Sequence, residues 1–210
     1  MATVNSYDVG QNPEESLMPT PERTTTAAIV AAARAIVEAG GADSLTMKEV
    51  ATRVGVRAPS LYKRVRDRND LIRLVVEDTV DEIGVRLQAA ADRTVDPRAA
   101  VVAMADALRA LAHERPQCYQ LTFGPLPPGA RPERGTLERV AGPVLEMSGR
   151  LAGEDHALEA ARTLTAWMNG FIQMELSGAF RLGGDVDAAY AWGLAALIEA
   201  ITNGGERRRD

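Results

Sequence analysis

Apolar residues recur along this chain at three- and four-residue intervals, the spacing of one face of an α-helix, and the breaks fall at glycine, proline and aspartate. Ile29, Val30, Ala33, Ile36 and Val37 form one such stripe, closed by Gly40 and Gly41, so a helix is expected over residues 24–40. Leu71, Val75, Ile83 and Leu87 line a longer segment running to about Ala91, with Asp67 and Asp70 available to cap its start. Asp96-Pro97 opens the next helix, with Val101, Met104, Ala105, Leu108 and Leu111 inward, and Arg115-Pro116 interrupts it. A short segment at 117–121 leads into TFGPLPPGARPE, too rich in glycine and proline for a helix. The period resumes over 132–147 through Leu137, Val140, Val144 and Met147, and Gly142-Pro143 should bend it and make room for a ligand. The run 155–179 is the most apolar, with Leu158, Leu164, Trp167, Met168, Phe171, Ile172 and Leu176 on more than one face. The last, 185–201, carries Val186, Tyr190, Leu194, Leu197 and Ile201.

Residues 46–71, TMKEVATRVGVRAPSLYKRVRDRNDL, hold two short amphipathic segments meeting at a Val-Gly-Val corner. Thr46 and Glu49 stand in the S/T-x-x-E arrangement that satisfies free amides of a first helical turn, and Val50, Ala51 and Val54 fall on one side. Gly55 ends that helix because glycine reaches positive φ without steric cost. Pro59 suits the first turn of a second helix, and Ala58, Leu61 and Val65 pack it on the first. Arg57, Ser60, Lys63 and Arg64 remain outward, with Pro59 and Tyr62 beside them, a mixture suited to a major-groove helix. The pattern is a helix-turn-helix.

Charge supports this reading. Residues 46–73 contain eight Lys/Arg against three acids in a chain of net charge −5, a partition of sign expected of a nucleic-acid face. Residues 1–22 carry four acids, three prolines and no base, and are expected to form a disordered tail that phosphate repels. Arg23 is where base contact is expected to begin.

Aromatics are 4% of the 210 residues and alanine is abundant, which favours an all-α fold over a sheet sandwich. No 18-residue apolar run and no signal sequence is evident, so a cytoplasmic protein without a membrane partner is expected. Cys118 is the single cysteine and His113 and His156 the two histidines, so neither a disulfide nor a metal site is expected, and no cofactor is implied. No motif groups a nucleophile, a base and an orienting residue, and Cys118, His113 and Glu114 are the nearest to catalytic candidates. An enzyme is not expected.

At IVAAARAIVEAGG, LTMKEVATRVGV and APSLYKRV followed by RDRNDLI, the chain resembles the TetR family of bacterial transcription regulators over about residues 23–75. The resemblance implies phosphate contacts from Thr46, Tyr62, Lys63 and Arg68, with Arg57, Pro59 and Ser60 in base-reading positions; Arg23, Lys48 and Arg64 complete the DNA-binding candidates. Arg64 and Val65 replace the His-Phe usual in the family, so Val65 would fill less of the core. TAWMNGFIQMELSGAF is similar to the Trp-His-Gly signature of the C-terminal domain in one TetR branch, here Trp167, Asn169 and Gly170 with Met168 inserted and the histidine absent.

The expected organisation is therefore a tail at 1–22, a helix-turn-helix DNA-binding domain at 23–70 and a helical ligand-binding and dimerisation domain at 71–204. The function expected is a repressor that binds double-stranded palindromic DNA as a homodimer and is released by a small apolar or amphipathic effector. Met104, Leu108, Tyr119, Phe123, Met147, Trp167, Phe171 and Met174 are expected as apolar walls of the effector pocket, with Asn169 and Gln173 as polar handles. Glu175 is expected to pair with Arg162 or Arg109. The two C-terminal helices are expected to form the dimer, with Phe180, Trp192, Leu194 and Ile198 giving apolar area beyond one core stripe. The alternative is a helical DNA-binding architectural or adaptor protein without a small-molecule ligand.

Overall fold

The computed structural model describes residues 25–206, within which every regular element is helical: α1 Thr26–Gly40, α2 Met47–Val54, α3 Ala58–Leu61, α4 Arg68–Ala91, α5 Pro97–Glu114, α6 Pro116–Phe123, α7 Arg134–Ala152, α8 Ala157–Leu176 and α9 Val186–Glu206. Short 3-10 turns at Ala42–Ser44 and Glu154–His156 join α1 to α2 and α7 to α8. Local chemistry sets the starts. The Thr25 hydroxyl accepts the Ala28 amide, Thr46 that of Glu49, Asp67 that of Asp70, and Asp96 those of Arg98 and Ala99. The tail at 1–22 and Arg23 lie outside the described residues.

Two apolar clusters organise the chain. The first joins Ile29, Ala33 and Val37 of α1 to Val50 and Ala51 of α2, Leu61, Val65, and Leu71 to Val80 of α4. The second gathers Ile83, Leu87, Met104, Leu108, Tyr119, Met147, Leu164, Met168, Ile172 and Tyr190. Helix α4 feeds both, its first half packing the N-terminal cluster and its second half the C-terminal one.

Three elements differ from the expectation. Regular helix in α3 stops at Leu61, although the Val65 amide still bonds the Leu61 carbonyl at 2.9 Å; the chain then extends at Asp67 to enter α4. Helix α7 passes through Pro143 and reaches Ala152, its stripe continuing through Met147 and Leu151. Helix α9 reaches Glu206. Leu194 and Ile198 are not on an outer face. They continue an i+4 stripe from Tyr190 into the C-terminal cluster, at 2% and 3% exposure.

Candidate functional site

The N-terminal head is fixed by a tight corner. Gly55 takes φ +76°, ψ 33°, and its amide and that of Val56 close back on the last carbonyls of α2. The turn into α3 follows with Arg57 as the residue before its first turn and Pro59 inside that turn, where no amide hydrogen is needed. Leu61 and Val65 point inward and are buried; smaller Val65 still closes the core at 1% exposure. Arg57, Pro59, Tyr62, Lys63 and Arg64 are exposed and Ser60 is half-buried. Thr46 and Lys48 at the start of α2 are exposed as well, and the Thr46 hydroxyl, accepting at the cap, keeps its proton to donate outward.

The basic run divides into two groups. Arg66 and Arg73 converge on buried Asp70, which accepts from the Arg66 guanidinium at 3.1 Å and amide at 2.9 Å, and from Arg73 at 2.8 Å. The hydrogen bonds from Arg66, then those from Arg73, hold the Asp70 carboxyl far below the usual carboxylate range despite its burial. Arg68 donates to the carbonyls of Leu45 at 2.8 Å and Ala42 at 2.7 Å, fastening α4 to the turn ahead of α2. These arginines hold the head together. Lys48, Arg53, Arg57 and Lys63 make no ion pair among the described residues and face solvent.

A cavity of about 650 Å³ lies between α4, α5, α6, α7 and α8. Its walls are mostly aliphatic: Val80, Ile83 and Leu87 from α4, Leu108 from α5, Val140 and Val144 from α7, and Ala161 and Met168 from α8, with Phe123 at the end of α6. Its polar lining is Thr122, Arg162, Thr165 and Asn169. Space opens here because the face of α8 turned to it carries short side chains at Ala161, Thr165 and Ala166.

Of the ten residues expected at the pocket, Leu108, Phe123 and Asn169 line this cavity. Tyr119 stands behind Asn169, fully buried, its hydroxyl donating to Asn169 Oδ1 at 3.1 Å; burial pushes its ionisation upward. Met104 and Met147 are packed core. Trp167 and Phe171 stack with Tyr190, at ring separations of 5.4 and 5.1 Å, and Phe180 closes on Phe171 at 4.8 Å. That stack fixes α9: a Cβ at Gly193 would meet the Trp167 ring at 2.5 Å, so only glycine permits the approach. Gln173 and Met174 lie further along α8, with Met174 exposed. Glu175 pairs with Arg109, which also reaches Asp187 and sits 4.7 Å above the Tyr190 ring. The lining that sequence reading missed is Val80 to Leu87 of α4 and the α7 wall. Its signal was the second, small-residue stripe of α8.

Cavity and head are in contact. Val80 packs in the head cluster and also lines the cavity, and Val140 touches both clusters. Arg34 of α1 bonds Asp78 and Glu82 of α4. Cys118 of α6 is sealed in the head cluster, where burial pushes its thiol up to about 12, so it is a packing residue. His113 faces Glu175, and Glu114 pairs with Arg86. Among the described residues no cluster of His, Cys, Asp and Glu could hold a metal ion, and no helix is long and apolar enough to cross a membrane.

Residues 22–75 match the family described as bacterial regulatory proteins, tetR family, and residues 101–197 match the tetracyclin repressor-like C-terminal domain. An uncharacterized HTH-type transcriptional regulator of Mycobacterium tuberculosis is 33% identical over 193 residues, covering 90% of this chain and 84% of that protein. Among solved structures, a protein of unknown function from Rhodococcus sp. RHA1 superposes with a TM-score of 0.73 at 20% identity, over 87% of this chain and 99% of that one. A TetR variant from Acinetobacter baumannii AYE, solved in complex with minocycline, superposes with a TM-score of 0.66 at 23% identity, over 89% and 99% of the two chains. With a helix-turn-helix head and a helical C-terminal domain that both match, this chain belongs to the TetR family of transcriptional regulators.

Proposed function

We propose that this regulator is a repressor that binds a palindromic operator as a homodimer in the cytoplasm and leaves it when a small apolar or amphipathic effector enters the cavity between α4 and α8. The observation that carries this reading is Val80, a single residue of α4 that belongs both to the packing of the reading head and to the cavity wall. A ligand that repacks the wall acts on the helix that positions the head. Such a ligand shifts the equilibrium only by its differential affinity for the two arrangements, typically about 1–3 kcal/mol of coupling.

On DNA, Arg57, Pro59 and Ser60 read base edges, while Thr46, Lys48, Tyr62, Lys63 and Arg64 hold phosphate. Arg68, engaged with two carbonyls, positions α2 rather than the duplex. Dimerisation uses α8 and α9, whose outer faces carry Gly170, Met174, Trp192, Ala195 and Ala196 in exposed positions. Half-sites then lie about 34 Å apart or a multiple of it.

The test is anisotropy of a labelled operator titrated with protein in the presence of apolar compounds that bind the cavity. Compounds that bind should weaken operator affinity about 5- to 150-fold. Binding in the cavity with no change in operator affinity contradicts the ligand-responsive part of this reading.

A further inference from the structure

Of the polar residues that line the cavity, Asn169 is the one whose side chain is held by a buried side-chain partner. The Tyr119 hydroxyl is buried beside Asn169 and must place its proton on an acceptor, which is Asn169 Oδ1 at 3.1 Å. That bond fixes which end of the amide is which, and leaves Nδ2 as the free end of a residue that lines the cavity. Among the described residues no protein acceptor takes the Nδ2 hydrogens. The other polar groups differ. Thr122 gives its proton to the Cys118 carbonyl at 2.8 Å, whereas Thr165 and Arg162 are exposed. Arg162, the one charged residue of the lining, lies seven residues before Asn169 on α8, about 10 Å along the axis.

We infer that the effector is an uncharged apolar molecule bearing a carbonyl-type hydrogen-bond acceptor, with that oxygen held by Asn169 Nδ2 and the amide oriented by Tyr119. An anionic group beside Asn169 would be desolvated with its only lining cation, Arg162, two helical turns away, a cost that a ketone, ester or lactone oxygen does not incur. Asn169 is thus a specificity-determining residue and Tyr119 a positioning residue. The inference rests on the effector-cavity reading above.

Binding of three matched probes separates the two. 2-Acetylnaphthalene carries the acceptor, 2-ethylnaphthalene lacks it, and 2-naphthoate replaces it with an anion; each competes with the solvatochromic ketone Prodan for the wild-type protein. The ketone should bind about tenfold tighter than the hydrocarbon, the contribution of one well-made hydrogen bond. Asn169→Leu should abolish that preference, so that ketone and hydrocarbon bind alike. Tyr119→Phe, which frees the amide to turn, should reduce the ketone-over-hydrocarbon preference several-fold, and melting curves establish that each variant is folded. Equal affinity of ketone and hydrocarbon in the wild type overturns the role of Asn169 and leaves the cavity reading standing. Naphthoate as the tightest probe, weakened in Arg162→Gln, overturns the uncharged class. Failure of Prodan and all three naphthalenes to bind removes the cavity reading and this inference with it.

Discussion

The Glu38 carboxylate on α1 accepts the backbone amide of Cys118 at the start of α6, at 3.1 Å, and that of Gln117 at 3.2 Å. Helix α6 has no capping side chain of its own, so its N-terminal amides are satisfied by a residue some eighty positions earlier. The same helix carries Tyr119, Thr122 and Phe123 toward the cavity. Glu38→Ala should cost about 1 kcal/mol of stability and accelerate amide exchange at Gln117 and Cys118 ahead of global unfolding. Exchange at those two amides that matches the wild type would show that the cap contributes nothing.

The exposed cations of the head should separate by role. Lys63→Ala should weaken binding to every DNA sequence alike and reduce the log–log salt slope by about 1. Arg57→Ala should instead cost about 1–3 kcal/mol on the preferred site and relax one base position. An unchanged slope for Lys63→Ala, or a uniform loss for Arg57→Ala, reverses the assignment.

Acid sensitivity should concentrate at Asp70. Its folded pKa is depressed, so its contribution is complete above the ordinary value of 3.8 and is lost as pH falls through the lower folded value. Asp70→Asn should therefore lower stability at pH 7 by about 1–3 kcal/mol and flatten the fall of stability below pH 4. Denaturant midpoints across that range measure it; parallel acid limbs for variant and wild type would contradict the pairing with Arg66 and Arg73.

The two kinds of apolar position on α9 make opposite predictions. Trp192 is 77% exposed, so Trp192→Glu should give a folded chain with a weakened dimer, seen as a shift toward monomer in sedimentation. Ile198 is core, so Ile198→Glu should cost several kcal/mol and unfold the C-terminal domain. A folded, dimeric Trp192→Glu protein would move the interface elsewhere.

Much of the head was legible because its signals are local. A hydroxyl at Thr46, a glycine at 55, a proline at 59 and an apolar stripe each dictate one turn of backbone, and α2 begins and ends where they say. The engagement of Arg68 was hidden because its acceptors are carbonyls 23 and 26 positions away. The cavity was harder for a physical reason. Reading for large apolar residues finds Met104, Met147, Trp167 and Phe171, which fill space, whereas a cavity forms where Ala161, Thr165 and Ala166 leave it empty. The burial of Leu194 and Ile198 is hidden in the sequence for a related reason: in α9 alanines occupy the outer face, so mean apolarity does not separate core from surface.

If two copies of this head read one two-fold site, selection of bound duplexes from a random DNA pool with the 210-residue chain will reveal it. The enriched sequences should hold an inverted repeat whose half-site centres lie about one helical turn apart or a multiple of it, lost in Arg57→Ala at one symmetric pair of positions. Enrichment of a single unpaired half-site, or no enrichment above the random pool, would contradict it.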